Sequence, residues 1–242
     1  PNVSRVYLGV DSDKYTTMDK HEARKIFDGA VADDAILFSC IKVNSWRAGF
    51  DTLLEAWAQF MELARKKAPD IAHRSKLYLH TNLAGDGYPI PIIMKRHRIE
   101  DSLLLNPTLA PGNGASDEDM IRLYNATDVA VSATRAEGFG LNIVEALSCG
   151  VPCIVPDYGC PAEYGGEGVL RVPIAAKYNP EFATTDFAIV SAEKMAKAMF
   201  DLATHEKKRK KMGKKGRAVA ESLSWQEFVA QWSFKIKSSI SS

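Results

Sequence analysis

Apolar positions along this chain follow two alternating patterns. Short, nearly continuous apolar runs at Ala35–Ile41, Lys76–His80, Leu103–Leu105, Asp128–Ser132 and Val151–Val155 predict strands covered on both faces, and Val169–Val172 predicts a last one. Between the first two, Phe50, Leu53, Leu54, Trp57, Phe60, Met61 and Ala64 recur at i, i+3, i+4, i+7 spacing, the wide stripe of a helix that packs on a sheet. Asp51 near its start and Arg65-Lys66-Lys67 in its last turn both suit the helix dipole, and Pro69 is expected to end it. Further helices are predicted over 91–98, 116–126, 141–149, 191–203, 206–221 and 225–236. Ser116 with Asp119, and Ser224 with Glu227, mark two of their starts as capping boxes. Gly150 followed by Pro152 marks a helix stop.

Strands that alternate with helices predict the α/β class: a parallel sheet with right-handed crossovers and helices on both faces. Ligands of such sheets bind at the carboxyl ends of strands. The loops after residues 41, 80, 105, 132 and 155 should therefore share one rim. Residues 1–30 carry no pattern of a sheet unit and are expected to form a linker, with residues 31–242 as the domain.

Composition narrows the setting. The 242 residues are 46% hydrophobic and 25% charged, as in a globular domain with a sizeable core. No apolar run approaches the roughly 18 residues of a membrane span, and the first residues lack the layout of a signal peptide. Four cysteines without CxxC spacing point to a reducing compartment, hence the cytoplasm. Net charge is +1, yet eight basic residues fall between Lys207 and Arg217, which leaves the remainder at −7. That segment reads either as a solvated helix face or as a patch for an anionic membrane surface. No aromatic residues interleave with it, which argues against nucleic acid.

The chemistry concentrates in Glu137-Gly138-Phe139-Gly140-Leu141-Asn142-Ile143-Val144-Glu145. A strand, a glycine-containing turn and a helix start make an anion site, because free backbone N–H groups and the helix dipole point at the loop. The two acids are more than a phosphate loop needs. Gly138-Phe139-Gly140-Leu141-Asn142-Ile143 is close to a dinucleotide fingerprint, and Asp157 lies where a ribose-binding acid would, so an NAD(P) oxidoreductase is one candidate. Ile143 replaces the third glycine, however, and five residues separate Ser132 from Gly138. Glu137 and Glu145, the latter about 8 Å further along the axis, also suit acid–base work on a glycoside, although glycines and a helix start suit a phosphate better.

The run Glu137-Gly-Phe-Gly-Leu-x-x-x-Glu145-Ala-Leu-x-x-Gly150-x-Pro152 resembles the signature of family 4 glycosyltransferases, retaining enzymes of the GT-B fold. Further pieces agree in order: Gly9-Val10-Asp11, the basic turn Asn44–Asp51, Leu123–Asp128, the Tyr158–Tyr164 loop and Ser224-Trp225. The resemblance covers nearly the whole chain. It implies two Rossmann-like domains around a cleft, of which this chain would be the C-terminal, donor-binding half, without the N-terminal acceptor domain. The donor would be a UDP- or GDP-sugar, the acceptor a glycan or lipid, and no metal or other cofactor would be required.

By matching position, the resemblance places the backbone at Gly138, Phe139, Gly140 and Leu141 against the diphosphate and sugar. It places Glu145 on the ribose hydroxyls and Glu137 on the transferred sugar. Thr134 falls near the phosphates, or is a plain loop hydroxyl. The loop from Asn106 and Pro107 to Asn113 would hold the base. Glu163 is either a second loop contact or a surface acid. The family pattern also carries an Arg and a Lys that clamp the departing diphosphate. Here Arg47 and Lys42 are the local cations, and Ala48 stands where the Lys is expected. That departure keeps open a non-catalytic nucleotide-sugar-binding module. Asp11-x-Asp13 reads D-x-D, but a turn or cap is the plainer assignment.

Overall fold

The computed structural model describes residues 5–83, 87–105, 114–181 and 183–240. Its elements are α1 (Lys20–Arg24), β1 (Ile36–Ile41), α2 (Phe50–Lys67), α3 (Pro69–Arg74), β2 (Ser75–His80), α4 (Ile90–His97) and β3 (Leu103–Leu105). Then come α5 (Asp117–Ala126), β4 (Val129–Val131), α6 (Leu141–Ser148), β5 (Cys153–Pro156), α7 (Cys160–Tyr164) and β6 (Val169–Val172). The chain continues with β7 (Ile174–Tyr178), β8 (Phe187–Val190), α8 (Ala192–Thr204), α9 (Glu206–Ser222) and α10 (Trp225–Ile240).

Six strands pair in parallel in the order β3-β2-β1-β4-β5-β6. Alternation along each strand divides the core. Phe38, Cys40, Leu77, Leu79, Val129 and Val131 face α2, α4 and α8. Leu37 and Tyr78 face α1 and α5, while Ala130, Cys153 and Val155 meet α6 and α9. Trp57 shows why the α2 stripe is so apolar: it is fully buried, lies 5.3 Å from the Phe38 ring, and its indole N–H donates to Ser102 Oγ at 2.9 Å. An unpaired indole N–H at that depth would carry the cost of a lost hydrogen bond.

Several expectations change in detail. Pro69 does more than stop α2: the helix breaks at Ala68 (φ −153°), and Pro69 opens α3, a position that needs no N–H. The Tyr158–Tyr164 loop contains the short helix α7. The antiparallel hairpin β7–β8 has no counterpart in the sequence reading; β7 is largely exposed and its register slips between Ile174 and Ala176, so no alternation marks it. The leading segment adds no strand to the main sheet, but it is fastened to it. The Arg24 guanidinium is buried and bonds the carbonyls of Ala32, Asp33 and Ala35, and it pairs with Asp128 at 2.8 Å. Asp128 also accepts the Leu37 N–H. Asp11 accepts from the Lys14 N–H, the turn role expected of it.

All four cysteines are free thiols, and burial pushes Cys40 and Cys149 up to about 12. Among the described residues no helix is long and apolar enough to cross a membrane. Much of the basic stretch on α9 is paired within the chain, although Lys208 and Lys210 stay at the surface. Lys208 pairs with Asp201, Lys210 with Glu206, Lys215 with Glu167 and Arg217 with Glu221, while Arg209 bonds the carbonyls of Leu202 and Ala203. Lys207, Lys211 and Lys214 remain exposed.

Gly49 caps α2 in the left-handed region (φ +70°), and a Cβ there would stand 2.1 Å from the Ala133 carbonyl oxygen of the β4–α6 loop. Gly29 has a similar φ of +84° with nothing within 4 Å. Both Gly49→Ala and Gly29→Ala should lose the ~1 kcal/mol of a left-handed alanine. Gly49→Ala should lose ~2 kcal/mol more from the clash. Urea unfolding of the two variants measures the difference, and equal losses would show that the contact is not rigid.

Candidate donor site

The carboxyl ends of β1, β2 and β4 open onto a cavity of about 830 Å³. Its wall includes Ile41 to Val43, Ser45 and Arg47 after β1, and His80, Thr81 and Asn82 after β2. Glu137, Phe139, Gly140, Leu141 and Asn142 close it from β4 and α6, with Leu8, Gly114 and Met120 at its margins. Of the residues nominated from sequence, Lys42, Arg47, Glu137, Phe139, Gly140 and Leu141 therefore surround one space. Asn106 and Pro107 lie outside the described residues.

Local structure explains the loop. Gly140 is the N-cap of α6 at φ +85°, and a Cβ there would meet Pro161 at 2.9 Å and Glu137 at 3.3 Å. Its carbonyl accepts from the Ile143 N–H at 2.9 Å and from the Tyr164 hydroxyl at 3.0 Å. The N–H groups of Leu141 and Asn142 at the start of α6 precede its first intrahelical bonds, so with the helix dipole they present positive potential to the cavity. Asn142 ties this helix start to β1 by donating to the Ile41 carbonyl at 3.0 Å. Gly138 differs from Gly140: nothing lies within 4 Å of the place its Cβ would occupy.

Two of the charged groups are paired in the free protein. Lys42 Nζ donates to Glu137 Oε2, with both side chains largely buried. Arg47 is exposed, and its carbonyl accepts the Arg135 N–H at 2.8 Å and the Thr134 hydroxyl at 3.1 Å. Thr134 is 3% exposed and its hydroxyl also lies 3.1 Å from the Ala136 carbonyl, so it is turned into the loop and away from the cavity wall. Ala48 is 1% exposed and packs in the main core cluster. The Arg135 side chain braces the same turn from behind. It pairs with Asp51 at 2.5 Å, donates to the Tyr178 hydroxyl at 3.1 Å and stands 5.6 Å over the Tyr88 ring.

Glu145 lies one turn along α6 from Leu141, half-buried; neither it nor Gly138 is among the residues lining the cavity. The Tyr124 hydroxyl donates to its Oε2 at 2.6 Å. Burial pushes its carboxyl above the usual range, and the Tyr124 bond opposes that shift. Glu163 is held by the leading segment, accepting from Arg5 at 2.6 Å and from the Tyr7 hydroxyl at 3.2 Å. Tyr7 packs against Phe139 and Tyr164, with centroids 6.3 and 6.2 Å away.

The sequence reading missed the wall after β2. His80 lies 3.0 Å from the Tyr78 hydroxyl through Nδ1, and burial lowers its pKa, which keeps it neutral at pH 7. Thr81 is 4% exposed, with a hydroxyl that has no partner among the described residues. The signal available was position alone, since the loop after residue 80 was expected on this rim.

Residues 95–219 match the family described as glycosyl transferases group 1. A D-inositol 3-phosphate glycosyltransferase of Thermobifida fusca is 27% identical over 227 residues, covering 94% of this chain and 48% of the relative. The chain thus spans about half the length of the curated relatives it matches. Sucrose-phosphate synthase from Thermosynechococcus elongatus superposes with a TM-score of 0.73 at 20% identity, over 97% of this chain and 52% of that one. Anabaena Alr3699/HepE, solved in complex with UDP, gives 0.72 at 17% identity, over 97% and 57%. The parallel sheet, the loop ahead of α6 and the family match over half of the chain agree: this chain belongs to the group 1 glycosyltransferases and has the GT-B type of Rossmann-like domain.

Proposed function

We propose that this chain is the donor-binding half of a retaining glycosyltransferase that moves a sugar from a UDP- or GDP-sugar to an acceptor such as a glycan or lipid. The observation that carries this is the convergence of Lys42, Arg47, Glu137 and the α6 N-terminus on one cavity. The diphosphate sits at the first amides of α6, with Lys42 and Arg47 as its cations. Donor binding exchanges the Lys42–Glu137 pair: Lys42 turns to phosphate oxygen, and Glu137 is released to accept hydroxyls of the transferred sugar. Negative charge that develops on the departing diphosphate is met by fixed dipoles and cations already in place, so protein groups supply the stabilisation and no metal is invoked. The UDP held by HepE favours uracil as the base.

The acceptor side belongs to a further domain, as the greater length of the relatives suggests. Trp225, Val229, Trp232 and Ile236 lie exposed at i, i+4, i+7 and i+11 along α10, an apolar stripe suited to covering by such a domain. The proposed address is the cytoplasm; Lys207, Lys211 and Lys214 are the α9 cations left for an anionic membrane surface. One observation favours a second reading, a nucleotide-sugar-binding module without turnover: buried Ala48 leaves the basic turn with Arg47 alone. The oxidoreductase reading loses ground, because β4 ends at Val131 and α6 begins only at Leu141, too long a connection for the dinucleotide turn.

Calorimetry of this chain against UDP, GDP, ADP, their sugars and NAD tests the ligand class. A UDP or GDP form should bind, NAD should not, and the reverse would overturn the proposal. Lys42→Ala should weaken nucleoside-diphosphate binding at least ~10-fold, since it removes a charge-assisted contact and leaves Glu137 facing the phosphates. Gly138→Ala should leave the melting temperature within about 2 °C of wild type yet reduce affinity for the sugar nucleotide, because the proposed mode sets the main chain at Gly138 against the diphosphate and sugar. Sugar transfer by the chain joined to an acceptor domain separates enzyme from binding module.

A further inference from the structure

Tyr124 has an apolar body and a single polar atom, and that atom is committed to Glu145. The residue is 1% exposed, on α5, and packs in the cluster beneath α6. Its hydroxyl donates to Glu145 Oε2 at 2.6 Å, the length of a charge-assisted O–H···O⁻ bond. A phenylalanine would fill the same space, so packing does not call for the hydroxyl. Tyr15, from the leading segment, lies edge-on to Tyr124 at 6.1 Å.

The other groups around Glu145 can be named element by element. From α5, Tyr124 and Asp117 face it; from the leading segment, Tyr15 does, with Lys14 paired to Asp117 behind; from α7, the buried Tyr164 phenol senses its charge. Beyond the C-terminus of α6 lies the Cys149 thiol, which burial keeps protonated, with the Arg217 guanidinium near it. Burial and the Asp117 charge disfavour the carboxylate form of Glu145, and the two phenols favour it.

We infer that Tyr124 is a positioning residue for Glu145: its hydroxyl fixes Oε2 and leaves the rest of the carboxylate aimed to accept both hydroxyls of a ribose 2′,3′-diol. This rests on reading Glu145 as the ribose contact. A carboxylate anchored on one oxygen loses less freedom when the diol binds, and the ionised form is the stronger acceptor for both hydroxyls. Without the phenol, protonation of Glu145 sets in at higher pH, because a hydrogen bond that favours the ionised form has been removed.

Titrations of UDP, GDP and their 2′-deoxy forms into wild type, Tyr124→Phe and Glu145→Gln, from pH 5.5 to 8.5, test this. Wild type should prefer the ribonucleotide by roughly 10-fold, the scale of a hydrogen bond to a charged group. Glu145→Gln should lose most of that preference throughout. Tyr124→Phe should retain much of it at pH 8.5 and lose it as pH falls, with the decline set at higher pH than in wild type. Titration of the ligand phosphates is common to each pair and cancels in the ratio. If Glu145→Gln keeps the preference, the ribose assignment fails, and with it this inference. If Glu145→Gln loses it but Tyr124→Phe follows wild type at every pH, the ribose contact stands and the positioning role is overturned, even where the melting temperature drops. Failure of wild type to bind either nucleotide overturns both.

Discussion

The main chain of the turn after β1 is pressed against the main chain of the loop after β4. The Arg47 carbonyl takes the Arg135 N–H and the Thr134 hydroxyl, and Gly49 lies so close to the Ala133 carbonyl that no side chain fits between. Adjacent parallel strands bring these loops together, but strand pairing alone would leave them several degrees of freedom. The backbone contact removes that freedom. It makes one rigid edge of two loops, and the basic turn, Glu137 and the start of α6 keep their relative places because of it. Arg135, Asp51, Tyr88 and Tyr178 reinforce the edge from the side away from the cavity.

In the free protein the site's carboxylates are held from within. Lys42 pairs with Glu137, and the neutral Tyr124 hydroxyl donates to Glu145. Leaving a half-buried carboxylate or ammonium unpaired costs more than a pair returns, so such pairs matter less as stabilising bonds than as ways to keep charge in a drying cavity. The two pairs differ in kind. In the proposed binding mode the Lys42–Glu137 ion pair is exchanged for contacts with an anionic, hydroxyl-rich ligand that gives each partner a new counterpart. The Tyr124–Glu145 bond comes from a fully buried ring, which that mode leaves in place.

Much of this was legible in the chain. Continuous apolar runs gave the strands of the main sheet, the α2 stripe gave its helix, and the glycines at 140 and 150 marked a start and a stop that φ values of +85° and +74° confirm. Glu137, Lys42 and Arg47 were nominated from a pattern and do share a cavity. What escaped depended on pairing across the sheet. That His80, Thr81 and Asn82 sit beside Lys42 follows from β2 lying next to β1, and spacing along the chain does not specify strand order. The β7–β8 hairpin escaped because β7 is largely exposed and bulged, so the buried apolar run of β8, Phe187–Val190, had no patterned partner along the chain. For Thr134 the chain left two readings open, a phosphate contact or a plain loop hydroxyl, because a hydroxyl's direction is decided by the nearest carbonyl, here those of Arg47 and Ala136.

Ala48 bears on how much charge the basic turn carries. It is buried in the main core cluster and adjoins Gly49, whose backbone is fixed against Ala133. An ammonium placed there would have to leave water inside a packed apolar cluster, or the turn would have to roll and break the contact at Gly49. The missing cation is therefore not a lone change on an otherwise unaltered turn, because the packing of the turn excludes it. The positive potential of this edge comes from elsewhere: Lys42 at the end of β1, Arg47 on the exposed side of the turn and the peptide dipoles of α6. Two of those three are fixed by secondary structure, at a strand end and a helix start, so the charge of the site is anchored to the sheet more than to the loop.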